Sequence, residues 1–361
     1  MIQIPEAFSA NYARARVKFL EAAAAAGTAI ASHPHPLAGI EGEVMALDTA
    51  LDGPPGTERL LIVSSACHGI EGYCGSGVQT FALHDQEWRD KAKAAGVAVL
   101  YLHALNPFGF SHGRRVTQEN VDLNRNFHDY SKPLPVNELY PDVHALLLPD
   151  VWPPDAANQK AIADYIATRG PDTLQAAMTR GQHQFPDGLF FGGSAATWSN
   201  QTLRAVLREH AAKALRIAWI DLHTGLGPAG IGERIFAGRD DAATVQRARS
   251  WWGKNVTSIY DGSSSSSVIT GMMFNAVYEE CPRSEYTGIA LEYGTQPLME
   301  VLGALRGEQW LQLHPDAPPA LAAQIRQQMR AAFYTETDAW KGQIVSQARQ
   351  AMFQAVDGLI A

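Results

Sequence analysis

RLLIVSSACHGIEG, residues Arg59–Gly72, is the stretch that decides the fold. Its first seven residues are almost continuously apolar, rich in branched side chains and too short for a buried helix. They read as a strand covered on both faces, as in the middle of a parallel sheet. In an open α/β sheet, ligands bind beyond the carboxyl ends of such strands. His68 and Glu71, three residues apart on a turn punctuated by Gly69 and Gly72, therefore fall where a site is expected, and both can face one metal ion. Alone the pair is a weak signal, because a His capping the turn beside an exposed Glu fits the same letters.

Working outward, residues 8–26 read as an amphipathic helix ending at Gly27, followed by an extended run near Gly42–Leu47. Downstream, Gly77–Trp88 has helical spacing and Val97–Leu102 reads as a second buried strand. Arg204–Ala214 and Ala242–Trp252 read as helices, Ile217–Leu222 and Ile289–Tyr293 as strands, and helices follow over roughly 297–306 and 319–357. Residues 129–200 are rich in Pro, Gly and Asp, with one helix near Gln159–Thr168. They read as an irregular insertion within a single domain spanning 1–361, since they lack an apolar core of their own. The GSSSSS run at 262–267 reads as a mobile loop. Strands separated by helices predict an α/β sandwich with a largely parallel sheet.

Three further elements carry chemistry. IDLHTG (Ile220–Gly225) again ends an apolar strand, and its His223 lies 152 residues beyond Glu71 (223 − 71), so no local turn relates them. Two ring nitrogens and a carboxylate leave a fourth position for water, which is the donor set of catalytic zinc. A satisfied core histidine is the plainer reading of any one of the 12 histidines. NPFGFSHGRRVTQENVDLNRNF (Asn106–Phe127) follows a strand in a loop bounded by Gly and Pro. Asn124 and Arg125 there suit a substrate carboxylate, which a guanidinium fork binds bidentately. Arg115 or Arg114 suits a developing oxyanion. IALEYGT (Ile289–Thr295) sets Glu292 inside an apolar strand, where a carboxylate is costly without a partner. A structural ion pair would satisfy it; beside an activated water it becomes a general base.

The rest of the chain excludes other classes. Its 361 residues, 46% hydrophobic and 18% charged, supply a sizeable core. A formal charge of −8 argues against a nucleic-acid or anionic-membrane surface. No segment approaches the ~18 uninterrupted apolar residues of a membrane span. Glu6, Arg14, Arg16 and Lys18 sit where a signal peptide would be apolar. Cys67, Cys74 and Cys281 cannot all pair and form no CxxC, which fits a reduced, cytoplasmic compartment. No GxSxG elbow serves a serine nucleophile, and HExxH is absent. Cys67 adjoins His68, but neighbours on an extended segment point to opposite sides, which disfavours a Cys–His pair.

HxxE, an arginine, DxNR, a distant His and a late-strand Glu, in this order over roughly residues 60–297, resemble the zinc carboxypeptidase superfamily, including its succinylglutamate desuccinylase/aspartoacylase branch. DLNRNF is the most specific piece, and HGIEGYCGSG with the N-terminal helix looks like a bacterial branch of unestablished substrate. The resemblance implies a three-layer sandwich, a mostly parallel mixed sheet flanked by helices. It implies one zinc per chain on His68, Glu71 and His223, with Asp122 accepting from the free ring nitrogen of His68. It further implies that Asn124 and Arg125 hold a substrate carboxylate, that Arg115 polarises the scissile carbonyl, and that Glu292 deprotonates the activated water. Arg114 and Arg115 are not separated by this pattern, and the family's mobile tyrosine has three candidates, Tyr278, Tyr286 and Tyr293. The expected activity is amide hydrolysis on a small peptide or amino-acid derivative with a free carboxylate. An N-acyl amino acid deacylase would use the same chemistry. A non-catalytic binding protein on the same fold predicts loss of a ligand or the base, yet His68, Glu71, His223 and Glu292 are all present.

Overall fold

The computed structural model describes residues 2–361. Its strands are β1 (Ala29–Ala38), β2 (Val44–Asp52), β3 (Arg59–Ser65), β4 (Ala98–His103), β5 (Arg216–Ala229), β6 (Gly232–Phe236) and β7 (Glu285–Gly294). They form one sheet in the order β1-β2-β4-β3-β5-β7-β6. The middle of the sheet is parallel, β4 to β3 to β5 to β7, and the flanking pairs are antiparallel. This is the α/β architecture read from the apolar runs, with antiparallel margins added.

Side-chain alternation splits the interior into two cores. Leu61 and Val63 of β3, with Ala218, Ile220 and Leu222 of β5, face one layer of helices (Tyr12–Ala25, Gly72–His84, Asp338–Ile360). Leu60 and Ile62, with Ile217 and Trp219, face the other, which includes helix Trp198–His210. Every residue of β4 is buried, as its continuous apolar run implied.

Two strands escaped the sequence reading. β1 contains Pro34 and Pro36, and its register against β2 breaks between Pro34 and Ala38. Proline lacks the N–H that a central ladder needs, so such a strand is tolerated only at an edge. β6, five residues long, is the opposite edge.

Residues 129–200 correct the expectation of an irregular insertion. They carry helices Tyr140–Leu147, Ala156–Arg169 and Pro171–Thr179. Tyr140, Val143, Leu147, Leu174, Ala177 and Met178 pack into the larger core instead of forming one of their own. The long C-terminal helix expected over 319–357 is two, Pro319–Phe333 and Asp338–Ile360, the second capped by Thr337. The serine run is pinned: Ser265 N donates to Glu233 Oε1 at 3.1 Å, and Gln175 Nε2 donates to the Ser265 carbonyl at 3.3 Å. The three cysteines are free and buried. Among the described residues no helix is long and apolar enough to cross a membrane.

Candidate active site

β3 delivers the chain to the site through Ala66, which turns in the left-handed region (φ 57°), a strained conformation of the kind that clusters at functional sites. Gly69–Glu71 then form a single 3-10 turn. This turn docks on the loop that carries the arginines: Gly69 N donates to the Arg115 carbonyl at 3.0 Å and Ile70 N to that of Arg114 at 2.8 Å. A Cβ on Gly69 would lie 2.1 Å from the carbonyl carbon of Gly109, so only glycine permits this approach. The HxxE turn and Arg115 are thus brought together by backbone contacts.

His68, Glu71 and His223 are buried, and one donor atom from each lies within 4.8 Å of the others. His68 Nδ1 is 2.8 Å from Glu71 Oε1, and His223 Nδ1 is 3.0 Å from Glu71 Oε2. The Thr224 N–H also donates to Glu71 Oε2, at 3.1 Å. Both rings therefore turn Nδ1 toward the centre and Nε2 outward, toward a carboxylate. His223 Nε2 is bonded to Asp221 Oδ2, and His68 Nε2 lies 3.3 Å from Asp122 Oδ1. A carboxylate behind each ring nitrogen is how ligating histidines are oriented and made more basic. The donor chemistry fits a zinc ion on His68, Glu71 and His223. Cys67, Asp221 and His223 form a second close group. Burial and Asp221 push the Cys67 thiol well above its ordinary range, so it is a poor source of thiolate.

Electrostatics at the centre follow from burial opposed by neighbours. Burial alone would raise Glu71, but His68 and His223 outweigh it and hold the carboxyl well below its usual range. Burial also opposes charge on His223, but Asp221 and Glu71 push the imidazole well above its ordinary value. Asp122 is likewise held low against its burial by Arg115, Arg125 and His68. Glu292 behaves oppositely. Burial and the nearby Glu71 push it up to about 8, with only partial relief from His223, the Leu226 N–H and Arg115. That N–H donates to Glu292 Oε1 at 3.0 Å. A carboxyl so perturbed, in a cleft beside a low one, is the pattern of a poised acid or base.

The structure separates the two arginines. Arg115 Nε donates to Asp122 Oδ2 at 3.0 Å, and its Nη1 and Nη2 reach Glu71 Oε1 at 3.3 Å and His68 Nε2 at 2.8 Å. Arg114, the other candidate for contact with the substrate at its developing oxyanion, turns away. Its Nε donates to Glu308 Oε1 at 2.7 Å in a buried pair, and it does not line the cleft. Arg125 lines the cleft, but its Nε and Nη2 donate to the Thr179 carbonyl at 3.0 and 2.5 Å. Asn124 Oδ1 accepts from Met273 N at 2.9 Å. None of Tyr278, Tyr286 and Tyr293 lines the cleft, and among the described residues no tyrosine does.

The cleft encloses about 910 Å³, including space open to solvent. Away from the polar centre its walls are apolar, with Phe236, Met272, Phe274, Val301, Leu305 and Phe333 among them. Two side chains that the sequence reading passed over belong here. Asp221 precedes His223 by two residues, so strand alternation alone puts both on one face of β5. Phe190, in the left-handed region (φ 53°), lies under both guanidiniums, 5.0 Å from Arg115 and 5.5 Å from Arg125. No sequence signal marks Phe190.

No curated protein matches the sequence. Among solved structures, thrombin activatable fibrinolysis inhibitor matches over 98% of this chain and 77% of its own, with 9% identity and a TM-score of 0.52. Carboxypeptidase A from Helicoverpa armigera matches over 89% of this chain and 73% of its own, with 12% identity and a TM-score of 0.44. A metallo-carboxypeptidase from Burkholderia cenocepacia matches over 83% and 68%, with 12% identity and a TM-score of 0.38. At these identities the likeness is one of fold alone, the carboxypeptidase-like α/β fold that the motif order implied. The family model for proteins of unknown function DUF2817 matches residues 8–347, so the chain belongs to that family.

Proposed function

We propose that this chain is a zinc-dependent amide hydrolase acting on a small peptide or amino-acid derivative that bears a free carboxylate. The observation that carries the proposal is the convergence of His68 Nδ1, His223 Nδ1 and Glu71 at the floor of a cleft that Glu292 also lines. When bound, zinc supplies a Lewis acid that polarises a carbonyl and lowers the pKa of water. Glu292, in its carboxylate form, takes a proton from the attacking water and passes it to the leaving nitrogen. Arg115, once its fork turns from the ligands to the substrate, donates N–H bonds where oxyanion charge develops. Asn124 and Arg125 hold the substrate carboxylate. Asp122 and Asp221 orient the two rings.

The lining favours an apolar substituent beside that carboxylate. Besides the two ligand histidines, Arg115 and Arg125 are the cationic side chains along the cleft, and Arg125 is partly engaged by Thr179. A deacylase on this scaffold would accordingly take an apolar acyl group in preference to a dicarboxylic one.

Metal analysis of protein purified without a chelating tag, wild type beside His223→Ala, tests the reading. About one zinc per wild-type chain, lost in the variant, is the expected result, followed by turnover of C-terminally apolar peptides or N-acyl amino acids. A wild type that carries no metal and fails to take up added zinc would replace the enzyme reading with that of a binding protein.

A further inference from the structure

On the sheet face that carries His223, β5 presents Trp219, Asp221 and His223 in alternate positions, and Ser64 of β3 is the register partner of Asp221. These four side chains are joined end to end. Trp219 Nε1 donates to Ser64 Oγ at 2.6 Å, and Ser64 Oγ donates to Asp221 Oδ1 at 2.5 Å. Asp221 Oδ2 in turn is bonded to His223 Nε2. Trp219, Ser64 and Asp221 are completely buried and His223 nearly so. A serine and an aspartate wholly buried on two adjacent central strands are unfavourable unless every polar group is matched.

The order of partners gives the chain a direction. An indole N–H can only donate. It therefore fixes Ser64 Oγ as its acceptor and leaves the serine hydrogen to go elsewhere, where Asp221 Oδ1 receives it. Asp221 then meets the imidazole as an acceptor, which places a ring hydrogen on Nε2, so that Nδ1, facing Glu71 and the centre, is the nitrogen left for a metal. His68 has no such device. Its Nε2 lies between an acceptor, Asp122 Oδ1 at 3.3 Å, and a donor, Arg115 Nη2 at 2.8 Å. Its tautomer follows whichever neighbour it takes.

We infer that Trp219 and Ser64 are positioning residues for metal binding: they set the tautomer and ring plane of His223 through Asp221, and so decide that Nδ1 is the ligand atom. This rests on the zinc reading of the site. Neither residue touches the cleft, and neither belongs to the donor set. Without the serine hydroxyl, Asp221 Oδ1 loses its partner, and the carboxylate that holds His223 Nε2 is no longer fixed from behind.

The test is a zinc competition titration on metal-stripped full-length protein, against a chromophoric chelator. Ser64→Ala is expected to weaken zinc binding about tenfold or more, the range known for partners behind a ligand. The melting temperature of each metal-free variant serves as the fold control. Ser64→Thr, which restores a hydroxyl on a strand that tolerates branching, should recover most of the affinity. Trp219→Phe keeps an aromatic, though smaller, ring and deletes the donor, so it should weaken zinc binding less than Ser64→Ala, and it keeps the inference testable if the alanine variant does not fold. Cobalt-substituted Ser64→Ala should also show an altered visible spectrum, because the ligand field at His223 changes. Zinc affinities equal to wild type in folded Ser64→Ala and Trp219→Phe would overturn the inference while leaving the metal site intact. A wild type that binds no zinc would overturn both together.

Discussion

His223 on β5 and Glu292 on β7 are register partners on adjacent parallel strands. The proposed ligand and the proposed base are thus held at a spacing set by the sheet, and no loop movement is needed to assemble them. Substituting Glu292 should therefore separate chemistry from metal binding. Glu292→Gln is expected to lower kcat by about 10²–10⁴, the usual contribution of a general base, with zinc content unchanged. If zinc and activity fell in step across a series of Glu292 variants, Glu292 would have to be counted as a ligand.

The neighbouring arginines should differ in their effect on turnover. Arg114 and Glu308 are a buried ion pair, 7% and 5% exposed, so Arg114→Ala leaves a carboxylate stranded. A loss of about 3–5 kcal/mol in unfolding free energy is expected, with zinc stoichiometry and kcat preserved in the folded fraction. Arg115→Ala also removes a partner of the buried Asp122, so it too should lose stability, but its folded fraction should in addition lose roughly 10²–10³ in kcat, as when one oxyanion donor is removed. Steady-state kinetics on the folded fraction of both variants, fixed by chemical denaturation, decide it; a kcat loss in Arg114→Ala and none in Arg115→Ala would exchange their roles.

These two residues also mark where sequence reading stops. The grouping of His68, Glu71 and His223 was legible because each follows an apolar run that reads as a strand, and the carboxyl ends of such runs in an α/β sheet are ligand positions. Asp221 was equally legible in principle, since period-two alternation places it beside His223. Arg114 and Arg115 are adjacent letters, and what separates them is Glu308, supplied 194 residues later by helix Leu298–Leu313. Phe190 shares that difficulty, because its role depends on a left-handed backbone that no residue type announces. The helices within 129–200 were hidden for a more local reason. Pro141 and Pro171 look like breakers in a Pro-rich stretch, yet both lie in the first turn of a helix, where proline is tolerated and at the first position favoured.

Acid should destabilise the fold through His103 on β4. The ring is fully buried and stacks on Phe19 at 4.5 Å. Ser76 Oγ, 2.9 Å from Nε2, is its hydrogen-bond partner, and Nδ1 has none. Burial pushes its pKa down to about 4, from 6.5 in the unfolded chain. Between those values the unfolded chain binds the extra proton, so stability is intact above pH 6.5 and is lost as pH falls toward 4. The shift corresponds to a loss on the order of 3 kcal/mol. Unfolding free energies measured from pH 7 to pH 4 should fall less steeply for His103→Gln than for wild type. Parallel slopes would show that another group carries the acid sensitivity.

Arg125 should act on binding more than on turnover. Its fork is immobilised on one side by the Thr179 carbonyl, with Nη1 donating to the Asn124 carbonyl at 3.0 Å. Burial lowers its pKa to about 10, which still leaves it charged near neutrality. Of five N–H donors, those three bonds leave one on each terminal nitrogen, enough for a carboxylate. A lysine cannot satisfy Thr179 and a substrate with the same geometry. Arg125→Lys is expected to raise KM for carboxylate-bearing substrates about 10- to 100-fold, the loss of a charge-assisted hydrogen bond, with kcat largely kept. Matched substrates with the carboxylate amidated should bind the variant and the wild type alike. An equal rise in KM for both substrate sets would remove the clamp from Arg125 and leave it a structural tie between the site and the helix ending at Thr179.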